Sequence, residues 1–207
     1  MTRRRVLLAC LLAGVLGSMA PGMRALAQDA GPAAPIVALD NALLGVMHAG
    51  HATPFSKRMA MLSPVVQQTY ALDVVLRSSV GPRWAGLSVA DRAALLDAFT
   101  DFTVASYVGN FAEFNGERLV VKPEARAAGA NQVVHSQIVP AHGGPVSIDY
   151  VMRQGEDGWR VVDVLLDGSI SRVAVQRSDF RALLSGGTAG PLIASLRKRI
   201  EILAKHG

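Results

Sequence analysis

Two carboxylates, two phenols and a spaced pair of imidazoles are the side chains here whose types could do chemistry: Asp149 and Asp163, Tyr107 and Tyr150, His48 and His51. An Asp and a Tyr in an apolar pocket can move a proton, the carboxylate taking it while the hydroxyl stabilises the developing oxyanion. Spacing works against the first carboxylate. Val146, Ile148, Tyr150 and Met152 fall on one face of a strand and Ser147, Asp149 and Arg153 on the other, so Asp149 points away from Tyr150. Asp163 shares a strand face with Trp159, Val161 and Leu165 and is expected to be half-buried. Such a carboxylate is ordinarily a hydrogen-bonded structural group, and that reading is taken ahead of catalysis. His48 and His51 would share a helix face, but His51 follows the breaker Gly50 and has no acidic residue close in sequence, so no metal site is predicted. The sequence has no zinc spacing, P-loop, dinucleotide fingerprint or nucleophile elbow. It reads as a non-enzyme without a cofactor.

The N-terminal residues read as an export signal. Arg3, Arg4 and Arg5 precede an apolar run from Val6 to Leu16, and Ala25-Leu26-Ala27 supplies small residues for cleavage after Ala27. The run is shorter than the roughly 20 residues a membrane-spanning helix needs. Leu7-Leu8-Ala9-Cys10 has the form of a lipobox, yet it leaves too short an apolar region before Cys10, which reads as one more apolar residue. The stretch from Thr2 to Leu7 also resembles a twin-arginine signal, which leaves the export route open. Export places the mature chain in the periplasm. Of 21 Lys and Arg the signal carries four (3, 4, 5 and 24), and none of the 16 Asp and Glu, leaving 17 against 16 and a net charge of +1. The basic balance therefore gives no support to a nucleic-acid partner. The single Cys leaves as well, so the mature chain must be stabilised by its core rather than by disulfides.

The elements that must position these residues follow from periodicity and caps. Residues 28–34 are small, polar or helix-breaking and read as a flexible N-terminus, with one domain over 35–207. Ile36, Leu39, Leu43, Val46 and Met47 predict a helix that stops by Gly50. Thr53-Pro54 and Ser63-Pro64 each predict a short helix start, and another helix is expected from Asp73 toward Gly81-Pro82. The capping-box-like Ser88-Val89-Ala90-Asp91 opens the longest predicted helix, over 88–114. Its Leu95, Phe99, Phe102 and Tyr107 do not fit one stripe, as expected of a central helix packed on two sides. After Asn115-Gly116 the period becomes two, and strands over 119–121, 133–139, 146–152 and 159–166 predict a four-stranded antiparallel meander. One of its faces is apolar and must be covered by helices. A helix through Val173 and Phe180 to Gly186-Gly187, then a last one from Gly190, complete an α+β chain.

Phe99, Phe102, Tyr107, Phe111 and Phe114 would face a sheet lined by Val, Ile, Tyr and Met, and periodicity alone cannot tell a filled core from a pocket. Helices followed by a curved sheet resemble the cone-shaped NTF2-like enzymes, with Tyr107, Tyr150 and Asp163 in the Asp/Tyr roles. A more extensive resemblance rests on Ala105-Ser106-Tyr107, Tyr150, the stretch from Gly158 through Trp159, Val161, Asp163 and Val164 to Asp167-Gly168-Ser169, and Arg177-Ser178-Asp179-Phe180. Together, over roughly 35–203, these resemble the MlaC or toluene-tolerance family. Where many members have Asn-Tyr this chain has Val175-Gln176, and the run from Ile170 to Arg177 is similar to the hopanoid-associated HpnM branch.

The resemblance implies N-terminal helices, the four-stranded sheet and C-terminal helices enclosing an apolar cavity. It implies a periplasmic lipid carrier that works with an inner-membrane ABC transporter complex and an outer-membrane lipoprotein or porin complex, with phospholipid or hopanoid as cargo. Acyl chains gain about 0.8 kcal/mol per buried CH₂ without any polar contact. On this basis Phe102, Tyr107, Phe111, Ile148, Tyr150 and Val164 are the expected cavity lining. An NTF2-like enzyme acting on an apolar polycyclic substrate is the alternative, and a structural partner of an envelope complex a third.

Overall fold

The computed structural model describes residues 31–206, so the predicted export signal, with Cys10 and the cleavage site at Ala27, lies outside the described residues. Helix α1 (Ala34–Ala49) buries the expected Ile36, Leu39, Leu43, Val46 and Met47. It stops where Gly50, at φ 54°, donates its N–H to the Val46 carbonyl, a left-handed conformation that glycine adopts without strain.

The two short helices expected next are one helix, α2 (Phe55–Thr69), with Pro64 inside it. Arg58, Leu62, Val66 and Thr69 are buried at four- and three-residue spacing straight through the proline, while Pro64 itself lies on the exposed side. Solvent can serve the carbonyl that Pro64 leaves without a donor, and continuity of the buried face outweighs the break. Arg58 is 1% exposed. Its Nε donates to the Thr53 carbonyl at 3.0 Å and its Nη1 to the Ala112 carbonyl at 3.3 Å, tying the start of α2 to a distant loop. Helix α3 (Leu72–Val80) and a 3₁₀ turn over Gly81–Gly86 follow.

Helix α4 (Val89–Asn110) begins at the expected cap, where the Ser88 hydroxyl accepts the Asp91 N–H at 3.0 Å. It is 22 residues long, shorter than expected, because Phe111 leaves helical backbone at φ −119°, ψ 53°. That turn lays the Phe111 ring on Tyr107, with centroids 6.0 Å apart, and lets Phe114 rest against His48 at 4.2 Å. The two-sided packing of α4 is as expected, with α2 and α3 on one flank and α6 (Gly190–His206) on another. A Cβ at Gly109 would come within 2.8 Å of Leu203, so a hydrogen at that position permits the close approach of α6.

The sheet is an antiparallel meander of five strands rather than four: β1 (Arg118–Ala128), β2 (Asn131–Val139), β3 (Val146–Gly155), β4 (Gly158–Leu166) and β5 (Ile170–Ser171), in that order. The extra strand is two residues that pair with Leu165 and Leu166 before helix α5 (Arg172–Leu183) begins. Strand β1 runs on past Val121 through an irregularity that accommodates Pro123, which an edge strand tolerates. A bulge in β4 matters more. Met152 pairs with Val161 but Val151 pairs with Asp163, so one residue is extra and the inward-facing set passes from Trp159 and Val161 to Val164 and Leu166. Asp163 is thus in phase with Leu165 but not, as alternation predicted, with Trp159 and Val161.

Candidate functional site

A cavity of about 280 Å³ lies between α4 and the inner face of β3 and β4, flanked by α3 and the start of α5. The six residues expected to line a cavity, Phe102, Tyr107, Phe111, Ile148, Tyr150 and Val164, all line this one. Three-, four- and seven-residue spacing stacks Phe99, Phe102, Thr103, Ser106, Tyr107 and Asn110 along the facing side of α4. Alternation presents Ile148 and Tyr150 from β3, and the bulge turns Val164 and Leu166 inward opposite them. Thr103 and Ser106 add little polarity, because their hydroxyls donate to the Phe99 and Phe102 carbonyls at 2.8 and 2.7 Å. A second cavity of about 490 Å³, near Met47, His51 and Ile138, shares Asn110 and Phe111 with the first. The end of α4 therefore forms the partition between them.

Sequence reasoning missed Tyr70, Leu72, Val75 and Phe99 as lining, along with Arg172. Tyr70 is brought in by a single bridge to Val161, with the Ala71 N–H donating to the Val161 carbonyl at 3.0 Å, which no local pattern announces. Its hydroxyl makes a short hydrogen bond with that of Tyr107. Tyr107 also interacts with Tyr150, and Tyr150 with Ser136, so hydroxyls form a polar seam along the apolar wall. Burial pushes all three phenols above the ordinary tyrosine range, most strongly at Tyr70 and Tyr150, and keeps them neutral. Beside them Asp40, on α1, is 8% exposed and is not among the lining residues. Burial raises its pKa from 3.8 to about 7.

The sheet and the long helix of this α+β fold leave a largely apolar cavity between them. The MlaC protein family matches residues 38–198, most of the chain. The chain belongs to the MlaC family. The fold is similar to that of a phospholipid-binding protein from Ralstonia solanacearum solved in complex with a phospholipid, with a TM-score of 0.71 at 22% identity over 84% of this chain and 99% of that one. A search of curated proteins finds no match.

In this MlaC-family chain the Trp-x-Val-x-Asp-Val run has a structural task. Asp163 Oδ1 accepts the N–H groups of Val164 at 2.8 Å and Val173 at 3.1 Å, and Oδ2 accepts the Ser171 hydroxyl at 2.5 Å. Ser171 in turn caps α5 by accepting the Ala174 N–H at 3.0 Å. The carboxylate thus pins the β4 bulge to the start of α5, two elements that both wall the cavity. Asp163→Ala is expected to cost about 2 kcal/mol of stability, since hydrogen bonds to a charged group contribute roughly 1.5–3 kcal/mol each and solvent recovers part of them. Asp163→Asn keeps an acceptor for both N–H groups and should cost less than half of that. Urea midpoints of the two variants check this order; equal midpoints would mean that the carboxylate does not hold the bulge.

The remaining candidates lie apart from the cavity. Asp149 is on the opposite sheet face, as alternation predicted, and is paired with His135 Nδ1 at 2.6 Å. His48 rests against Phe114 and His51 lies 3.6 Å from Glu113. Among the described residues no three His, Cys, Asp or Glu side chains gather to hold a metal ion, and no described helix is long and apolar enough to cross a membrane.

Proposed function

We propose that this protein is a non-enzymatic periplasmic lipid carrier, shuttling phospholipid or hopanoid between an outer-membrane lipoprotein or porin complex and an inner-membrane ABC transporter complex. The observation that carries the reading is the apolar cavity between α4 and the bulged sheet in a chain of the MlaC family. Its phenols and its Thr103 and Ser106 hydroxyls are bonded to one another or to backbone and the Asp163 oxygens are engaged, so an acyl chain lying against the aromatic wall strips water from few unsatisfied groups. The phospholipid bound by the Ralstonia solanacearum protein of like fold supports the same class of cargo. At about 280 Å³ the space is close to the lower end of the roughly 300–1,000 Å³ of ligand pockets. The run from Ile170 to Arg177, similar to the HpnM branch, is what keeps hopanoid beside phospholipid as cargo.

An enzyme acting on a polycyclic substrate would need a carboxylate free to take a proton inside the cavity. Asp163 has both oxygens engaged, and Asp40 does not reach the lining. Native mass spectrometry of the mature protein purified from its own periplasm, followed by organic extraction, tests the carrier. A stoichiometric phospholipid or hopanoid is the expected result. Protein that is empty, and stays empty when offered either lipid, would refute it.

A further inference from the structure

Arg172, the first residue of α5, lines the cavity and is exposed, yet it makes no hydrogen bond or ion pair with any described residue. The other charged residue of the lining, Asp163, is no partner for it, because Ser171, Val164 and Val173 occupy its two oxygens. Gln176, one helical turn on, is neutral and bonded to the Ser79 hydroxyl at 2.9 Å. The guanidinium is close enough to the polar seam to draw the Tyr70 and Tyr107 hydroxyls down against the larger effect of burial. The lining thus combines an apolar wall of Phe99, Phe102 and Val164 with a single exposed, unpaired cation on a long stem. A guanidinium presents a planar fork of donors and no acceptor, which matches the paired oxygens of a phosphate or carboxylate.

We propose that Arg172 recognises the polar end of the cargo. It selects lipids whose headgroup carries a negative charge beside apolar chains, a phosphate diester or a fatty-acid carboxylate, over lipids whose polar end is uncharged. This rests on the carrier reading and narrows it, placing an anionic lipid ahead of an uncharged polycyclic one. Because Arg172 is exposed and holds no other side chain, replacing it leaves the packing intact.

The test offers the delipidated mature chain phosphatidylglycerol, oleate or a diacylglycerol of the same chains, and counts the lipid that remains bound by native mass spectrometry. The wild type is expected to favour an anionic lipid over diacylglycerol by about tenfold, the range of one charge-assisted contact. Arg172→Gln should lose that preference, taking up anionic lipid and diacylglycerol about equally, and Arg172→Lys should retain part of it. Phosphatidylglycerol favoured over oleate would identify the phosphate diester as the group read, and the reverse the carboxylate. Equal loading of diacylglycerol by the wild type, or an unchanged preference in Arg172→Gln, would overturn the role of Arg172 while leaving the carrier standing. A chain that takes up none of the three overturns the carrier reading and this one with it.

Discussion

Asp40→Asn is expected to stabilise the protein on the order of 4 kcal/mol at pH 8 and to leave it nearly unchanged near pH 4. Burial raises the Asp40 carboxyl from 3.8 to about 7 in the folded chain, whereas the unfolded chain releases that proton near the ordinary value. Between these two values the folded state binds more protons than the unfolded state, so stability declines as pH rises. Stability is fully present below the unfolded value, falls across the window from 3.8 to about 7, and is flat above it. At about 1.4 kcal/mol per pH unit, a window of roughly three units gives the figure above. Asn has nearly the same shape and no charge to lose, so its stability should not follow pH through that window. Thermal or urea midpoints of both proteins at pH 4, 6 and 8 check this. Parallel curves would show that Asp40 is ionised throughout in the folded chain.

The same experiment has a bearing on cargo. Above pH 7 the buried carboxylate acts on Tyr107 and Tyr150, whose phenols it holds further from ionisation. The seam of hydroxyls beside the cavity therefore stays protonated through neutral pH, able to donate hydrogen bonds but unable to act as a base.

Ile148→Asp is expected to weaken lipid retention about a hundredfold. Ile148 sits on the inward face of β3, opposite Leu166, and lines the cavity, half-buried, near the start of a strand paired on both sides. A carboxylate there sets a hydrated charge in the apolar wall, so it keeps water at that end of the cavity. Keeping about four methylenes of an acyl chain out of the hydrated end loses roughly 0.8 kcal/mol each, or about 3 kcal/mol in all. Ile148→Val shortens the side chain by only one methylene and should retain most of the lipid. Comparing lipid bound to the two variants after dilution, with circular dichroism to confirm that both fold, separates loss of cargo from loss of structure. Full retention by a folded Ile148→Asp protein would place the lipid elsewhere.

Much of this architecture was legible along the chain. The apolar face of α1, its stop at Gly50, the Ser88 cap and the alternation that separates Asp149 from Tyr150 are all set by residues within a few positions of one another. Such patterns survive folding because neighbours along the chain remain neighbours in space. The aromatic stripe of α4 and the inward residues of β3 were readable for the same reason, which is why six expected lining residues converge on one cavity.

Other features depended on partners far away in sequence. Local proline chemistry predicts a break at Pro64, yet α2 continues because Leu62 and Val66 on both sides are buried in the shared core. Strict alternation would have turned Val164 outward; the bulge that turns it inward is held by Asp163 bonded to residues eight and ten positions on. Tyr70 reaches Tyr107 across 37 residues, and Arg58 reaches Ala112 across 54.

By itself, then, the sequence determined the kinds and order of most elements, the faces of α1, α4 and β3, and the motifs that mark the family, since these rest on local periodicity and capping. Tertiary structure alone decided the β4 bulge, the unpaired Arg172 at the cavity, the burial that raises the pKa of Asp40 and the existence of the cavity. Each of those depends on which distant groups exclude water or stop short of contact.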